Sequence, residues 1–99
     1  MNAITLPMIE HVIELASAED EKKLEKYISG MSKDQQAELQ ALMWYGRDEG
    51  GEDSIPFAEY LEFSKANLDT VASYMGEKVV SLPDHLREGL RLLAERNEE

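Results

Sequence analysis

The sequence of 99 residues contains no cysteine, only three prolines and no long apolar run. Without cysteine the chain has no disulfide, no thiolate zinc site and no cysteine nucleophile. Its longest unbroken apolar segment, Ala41 to Tyr45, is far shorter than the ~20 residues that a membrane-spanning helix needs. The first residues lack a basic segment followed by an apolar stretch, so we expect no signal peptide and a cytoplasmic location.

Positive charge is also scarce. The chain has 10 Lys and Arg against 21 Asp and Glu, which gives a formal net charge of −11. A charge of this size repels polyphosphate, so we expect neither nucleic acid nor an anionic membrane as a direct ligand. Two stretches, residues 1–21 and 48–64, contain five and six acids without any Lys or Arg, and they account for the whole excess.

The hydrophobic residues, 42% of the chain, recur at helical spacing. Pro7 follows Thr5 and Leu6 and suits the start of a first helix, since proline is tolerated in the first turn. No segment alternates at a period of two residues, so no strand is predicted. The sequence predicts an all-α fold, a single domain over residues 1–99 with five or six short helices, and frayed residues at Asn97 to Glu99.

The central helix of this fold is predicted between about Lys33 and Arg47. Ser32 and Gln35 match a capping box at its start, and its second half is apolar nearly all round, as in a helix at the middle of a domain. Gly89 lies inside the last predicted helix, where glycine costs ~1 kcal/mol against alanine, so we expect it to permit close packing with a neighbouring helix.

The later helix boundaries follow from caps, prolines and glycines. Ser54 is predicted to cap a helix with Pro56 in its first turn. Gly76 is predicted to end the short helix that follows, and Ser81 to cap the last helix with Pro83 in its first turn.

The segment Ala37 to Arg47, with Ala-Leu-Met-Trp-Tyr-Gly-Arg at its end, resembles the core motif of a small, largely proteobacterial family catalogued as a domain of unknown function. The resemblance continues through Tyr74-Met75-Gly76 and Leu86 to Leu90, and it covers about residues 20 to 94. That family often has a second glycine after the arginine, where this chain has Asp48. The resemblance implies an all-helical bacterial cytoplasmic domain and implies no activity.

The loop after the central helix partly fits the twelve-residue EF-hand pattern for calcium. Asp48, Glu52 and Glu59 fall at positions one, five and twelve, where carboxylates are suitable. Gly50 at position three offers no side-chain oxygen, and Asp53 stands at position six, where the turn needs glycine. We favour a solvated acidic loop, and the alternative is a calcium- or metal-responsive regulatory domain that uses Asp48, Glu52 and Glu59.

Each histidine has a glutamate three residues further on, His11 with Glu14 and His85 with Glu88, a spacing that could hold a metal. Ligands of a di-metal bundle must project into the core, whereas His11 lies to the side of its apolar stripe. We therefore interpret both as boundary histidines. No nucleophile elbow and no phosphate-binding glycine loop is present, so we predict no catalytic residue, no cofactor and no enzymatic activity.

The segment Trp44, Tyr45 and Arg47 is rich in the residue types that dominate binding hot spots. Aromatic residues also fill small cores, and the sequence leaves open whether Trp44 and Tyr45 are core or interface. Arg47 is predicted to be either a surface charge or a link between the helix end and the acidic residues after it.

The charge distribution favours a non-catalytic acidic protein-binding module, a monomer or small homo-oligomer, whose partner is a protein with a basic surface. In its sharpest form the hypothesis is an inhibitor that covers a basic nucleic-acid-binding surface, as DNA-mimicking and anti-CRISPR proteins do. Ordinary solubility is the competing explanation of the same charge. The predicted contact residues are Glu49, Glu52, Asp53, Glu59 and Glu62.

Overall fold

The computed structural model describes residues 2–48 and 55–96. These residues form no strand and six α-helices: α1 (Leu6–Ser17), α2 (Glu21–Ser29), α3 (Lys33–Arg47), α4 (Phe57–Lys65), α5 (Val71–Glu77) and α6 (Leu82–Arg96). The predicted all-α fold is confirmed. Across the two described ranges, each helix is too short or too polar to cross a membrane.

The first three helices begin at side-chain caps. Thr5 Oγ1 accepts from the N–H of Met8 at 3.4 Å, and Asp20 Oδ1 accepts from the N–H of Lys23 at 3.2 Å. Ser32 and Gln35 form the predicted capping box, in which each side chain accepts from the other residue's backbone N–H at 3.1 and 3.0 Å. Such caps satisfy N–H groups that a helix start leaves without partners.

Two boundary predictions differ from the structure. Pro56 is the N-cap of α4 and not part of its first turn, because its ψ of 150° is extended and the helix begins at Phe57. Gly76 lies inside α5, which continues to Glu77. A Cβ at Gly76 would lie 2.8 Å from Cγ of Glu25, so this glycine makes room for α2 and does not end the helix. The predicted cap Ser54 lies outside the described residues.

Helix α3 lies at the centre of the fold, as predicted. Every residue from Ala37 to Gly46 is buried except Trp44. Helices α4 and α6 pack on α3, while α1 packs on α2 and α6, and α2 packs on α5. The buried hydroxyl of Ser64 donates to Gln40 Oε1 at 2.9 Å, which fixes how α4 is rotated against α3.

The backbones of α3 and α6 touch at two glycines. A Cβ at Gly46 would overlap the carbonyl oxygen of His85 and would lie 2.7 Å from the nitrogen of Gly89. A Cβ at Gly89 would lie 2.6 Å from the carbonyl oxygen of Leu42. The close packing predicted for Gly89 is therefore present, and Gly46 supplies the matching space on α3.

The segment before α1 is held by a buried carboxylate of α3. The oxygens of Glu38 accept from the backbone N–H groups of Asn2, Ala3 and Ile4 at 2.9 to 3.1 Å. Gln35 Nε2 adds a hydrogen bond to the carbonyl of Ala3 at 3.3 Å. Hydrogen bonds to a charged acceptor are stronger than neutral ones, so this contact anchors the N-terminal residues on α3.

Candidate functional site

An open groove of about 390 Å³ lies between the C-terminal end of α3, helix α4 and residues on either side of α4. We call it the Trp44 groove. It combines aromatic rings, an ion pair and an amide in one concavity, a mixture typical of binding sites. Its lining residues are Trp44, Arg47, Asp48, Ile55, Tyr60, Phe63 and Asn67.

The two neighbouring aromatic residues of α3 have different surroundings. Tyr45 is 1% exposed and packs edge-to-face against Phe57 and Tyr60, with ring centroids 5.8 and 5.9 Å apart. Trp44 is only partly buried, and its indole N–H donates to the hydroxyl of Tyr74 at 3.1 Å. The question left open by the sequence thus has two answers, since Tyr45 belongs to the core and Trp44 forms a wall of the groove.

An ion pair and a tyrosine fix the end of α3. Arg47 donates from Nε and Nη2 to the two oxygens of Asp48 at 2.8 and 3.2 Å, and the hydroxyl of Tyr60 donates to Asp48 Oδ2 at 2.9 Å. Both predictions for Arg47 are observed, since its side chain is exposed and it links the helix end to the next acidic residue. This contact joins α3 to α4 at the groove.

Hydrogen bonds and burial shift the pKa values of all three groups. The bond from Arg47 holds the pKa of Asp48 below its usual value, and the same bond raises the pKa of Arg47. Burial, together with the bond to Asp48, raises the pKa of Tyr60 to about 12. At neutral pH the carboxylate and guanidinium are therefore both charged, and Tyr60 is a protonated donor.

The outer side of α4 continues from this groove. Phe63 is 57% exposed and lines both the Trp44 groove and a shallow depression on the outside of α4. The exposed carboxylates of Glu59 and Glu62 stand beside it. We call this surface the α4 face, defined by Ala58, Glu59, Glu62, Phe63 and Ala66.

The structure brings together part of the predicted contact set. Glu59 and Glu62 share the α4 face, whereas Glu49, Glu52 and Asp53 lie outside the described residues. Lys65 Nζ lies 3.9 Å from Glu62 Oε1, and both side chains are exposed, so this pair contributes little to stability.

The hydrogen bonds around Asp48 speak against the calcium hypothesis. Both oxygens of Asp48 already accept hydrogen bonds, from Arg47 and Tyr60, and Glu59 lies on the outer side of α4. Glu52 lies outside the described residues. Among the residues that the structure does describe, no group of three or more His, Asp and Glu is placed to hold a metal ion.

The two histidines differ in burial. His11 is exposed, with Nδ1 3.4 Å from Glu14 Oε2 and its ring edge-to-face on Tyr27 at 4.6 Å. His85 is half-buried on α6, beside Gly46. His85 is therefore the boundary residue that the sequence predicted, whereas His11 is more exposed than a boundary residue.

Sequence reasoning missed Ile55, Tyr60, Phe63 and Asn67 as groove residues. The signal for Phe63 was present, since the buried positions of α4 are Phe57, Tyr60 and Ser64 and Phe63 falls outside that stripe. A large aromatic side chain on the polar side of an amphipathic helix is an exposed binding candidate. Ile55 and Asn67 gave no comparable signal, because they flank the helix and reach the groove only through the fold.

A family model described as "Protein of unknown function (DUF3775)" matches residues 21–94. This range contains helices α2 to α5, most of α6 and every residue that lines the Trp44 groove. It confirms the resemblance to a domain of unknown function that the sequence motifs indicated. No curated protein and no solved structure matches the chain.

Proposed function

Since the chain belongs to the DUF3775 family, whose description assigns no activity, we propose from the geometry that it is a non-catalytic protein-binding module for a basic partner. The observation that carries the proposal is the exposed Phe63, which stands between the Trp44 groove and the carboxylates of Glu59 and Glu62. Apolar contact area and negative charge are thereby adjacent on one side of the molecule.

The residue types of the groove support protein binding. Trp, Tyr and Arg are the side chains most enriched at interface hot spots, and Trp44, Tyr60 and Arg47 meet there. Their hydrogen bonds to Tyr74 and Asp48 hold them in place before any partner arrives. Binding to such a surface loses less side-chain entropy, which favours affinity.

The charge of the α4 face supports a basic partner. Glu59 and Glu62 belong to the stretch 48–64, which has six acids and no Lys or Arg in a chain of net charge −11. A field of one sign speeds encounter with an oppositely charged surface and suppresses encounter with acidic ones. In its sharper form, the proposal is that the module covers a basic nucleic-acid-binding surface and so inhibits its partner.

The polar groups of the groove form hydrogen bonds with one another and with the rest of the protein, which supports the proposal of a non-catalytic role. Asp48 accepts from Arg47 and Tyr60, and its lowered pKa makes it a weak proton acceptor at neutral pH. The indole N–H of Trp44 is used by Tyr74. These groups hold the groove in shape and are poorly suited to general acid–base catalysis.

The test is a titration with a lysine-rich synthetic peptide, followed by the fluorescence of Trp44, the single tryptophan of the chain. We expect binding that weakens as ionic strength rises. Replacing Glu59→Gln and Glu62→Gln together should weaken binding about tenfold, if each ion pair contributes ~0.7 kcal/mol. Affinity that is indifferent to salt would contradict the proposal.

The matched control is Glu10→Gln with Glu14→Gln on α1, which removes the same net charge from exposed acids of the other acidic stretch. Equal losses in the two double variants would show that only net charge matters and that the α4 face is not the binding surface. For the inhibitor form, the peptide is first bound to a fluorescent DNA duplex. Release of the duplex when the protein is added supports inhibition, and retention of the duplex refutes it.

A further inference from the structure

We infer that the segment recognised by this module is a basic segment with one bulky apolar side chain that enters the Trp44 groove, while its Lys or Arg residues pair with Glu59 and Glu62. This inference rests on the proposed function and specifies the partner's chemistry. It follows from three features of the described surface: how the groove's polar groups are satisfied, what its walls are made of, and how far the acids stand from it.

The polar groups of the groove are already bonded to the protein itself. Asp48 accepts from Arg47 and Tyr60, and the side-chain amide of Asn67 donates to the backbone carbonyl of Phe63 at 2.8 Å. The indole N–H of Trp44 donates to Tyr74. A polar ligand group that took the indole N–H of Trp44 or the hydroxyl of Tyr60 would have to break its bond to Tyr74 or Asp48, and losing that bond is costly for a partly buried donor. An apolar side chain leaves them intact.

The walls of the groove are suited to such a side chain. Trp44, Ile55 and Phe63 present apolar surface on its sides, and Phe63 is exposed in the free protein. Covering this surface removes it from water, and an aromatic guest gains further from edge-to-face contact with the two rings. The Arg47 charge is neutralised by Asp48, so it does not oppose the approach of a basic segment.

The position of the acids sets the spacing of the partner's charges. Glu59 precedes Phe63 by four residues on α4 and Glu62 precedes it by one, so both carboxylates lie within about one helical turn, ~6 Å along the axis. Lys or Arg residues within one turn of the apolar anchor can therefore reach them. Since both acids precede Phe63 on α4, basic residues on one side of the apolar anchor are sufficient, whereas an acidic flank on that side does not fit this arrangement.

The experiment uses two lysine-rich helical peptides of equal length and charge that differ at one central position, phenylalanine in one and alanine in the other. Neither contains tryptophan, so the emission of Trp44, the single tryptophan of the chain, reports the groove. We expect the phenylalanine peptide to bind about tenfold more tightly and to shift the Trp44 emission. The preference should fall to about twofold in the variant Phe63→Ala.

The matched control is Val80→Ala, which removes another exposed apolar side chain and should leave the preference unchanged. One outcome is that both peptides bind equally tightly, and that their affinity falls as salt rises and falls in the variant with Glu59→Gln and Glu62→Gln. In that case the basic-partner function stands and the apolar anchor is refuted. If neither peptide binds at low salt, the proposed function itself is refuted. A preference that survives Phe63→Ala without a change in Trp44 emission places the anchor elsewhere and overturns the inference.

Discussion

Replacing Gly46 with alanine would put a methyl group into the place where α3 touches α6. In an isolated helix the same substitution is favourable by about 1 kcal/mol, since glycine has the larger conformational freedom to lose. Here the added Cβ would overlap the carbonyl oxygen of His85 and would lie 2.7 Å from the nitrogen of Gly89. Both atoms belong to the backbone of α6, so no side-chain rotation relieves the contact and the helices must separate.

The cost of that separation sets the expected magnitude. Overpacking a well-packed core typically costs ~1–3 kcal/mol. With the clash on backbone atoms we take the upper end, which leaves a net loss of about 2 kcal/mol after the gain in helix propensity. For a domain of this size such a loss lowers the melting temperature by about 10 °C. Thermal and urea unfolding followed by circular dichroism measure it directly.

Gly30→Ala is the matched control. The nearest atoms to a Cβ at Gly30 are backbone oxygens of Tyr27 and Lys26 at 3.5 and 3.8 Å, which is ordinary contact, and its φ of −80° suits alanine. We expect this variant to be as stable as the parent protein or slightly more stable. The reasoning is refuted if Gly46→Ala is as stable as the parent protein, or if Gly30→Ala loses as much as Gly46→Ala.

Two further predictions concern the Asp48 network. Tyr60 ionises near pH 10 in the unfolded chain and near 12 in the folded protein, so its contribution to stability is complete below pH 10 and is lost as the pH rises towards 12. That loss, about 3 kcal/mol at most, should appear as a steeper alkaline decline of the free energy of unfolding in the parent protein than in Tyr60→Phe; parallel profiles would contradict it. Calcium at millimolar concentration should leave the melting temperature unchanged, because Asp48 is held by Arg47 and Tyr60; a clear rise would favour the calcium-responsive alternative instead.

Local sequence signals predicted α3 well because several of them agree. The Ser32–Gln35 capping box and the apolar second half of the segment point to the same helix, and its observed bounds are the predicted ones. Gly76 misled the boundary prediction because a glycine at that position is equally consistent with a helix end and with a close neighbour. Only the fold shows that Glu25 of α2 passes over it.

The candidate site was harder to predict than the helices. Trp44 and Tyr45 are adjacent, and a rotation of 100° along α3 decides which ring enters the core. That rotation is set by the packing of α4 and α6 on α3. Both helices follow α3 in the sequence, so the local sequence around Trp44 does not contain this information. The Asp48 network likewise joins residues twelve positions apart, and its partner Tyr60 is chosen by how α4 is placed.

The contact between Glu38 and the first residues has a practical consequence for labelling. Because the N–H groups of Asn2 to Ile4 are bonded to α3, Asn2 and Ala3 are held in a hollow that Leu61 and Lys65 of α4 also line. A tag or fluorophore attached ahead of Asn2 therefore emerges next to α4 and would obstruct a partner that approaches this helix. A dye at the N-terminal end thereby becomes a proximity reporter for whatever binds beside α4.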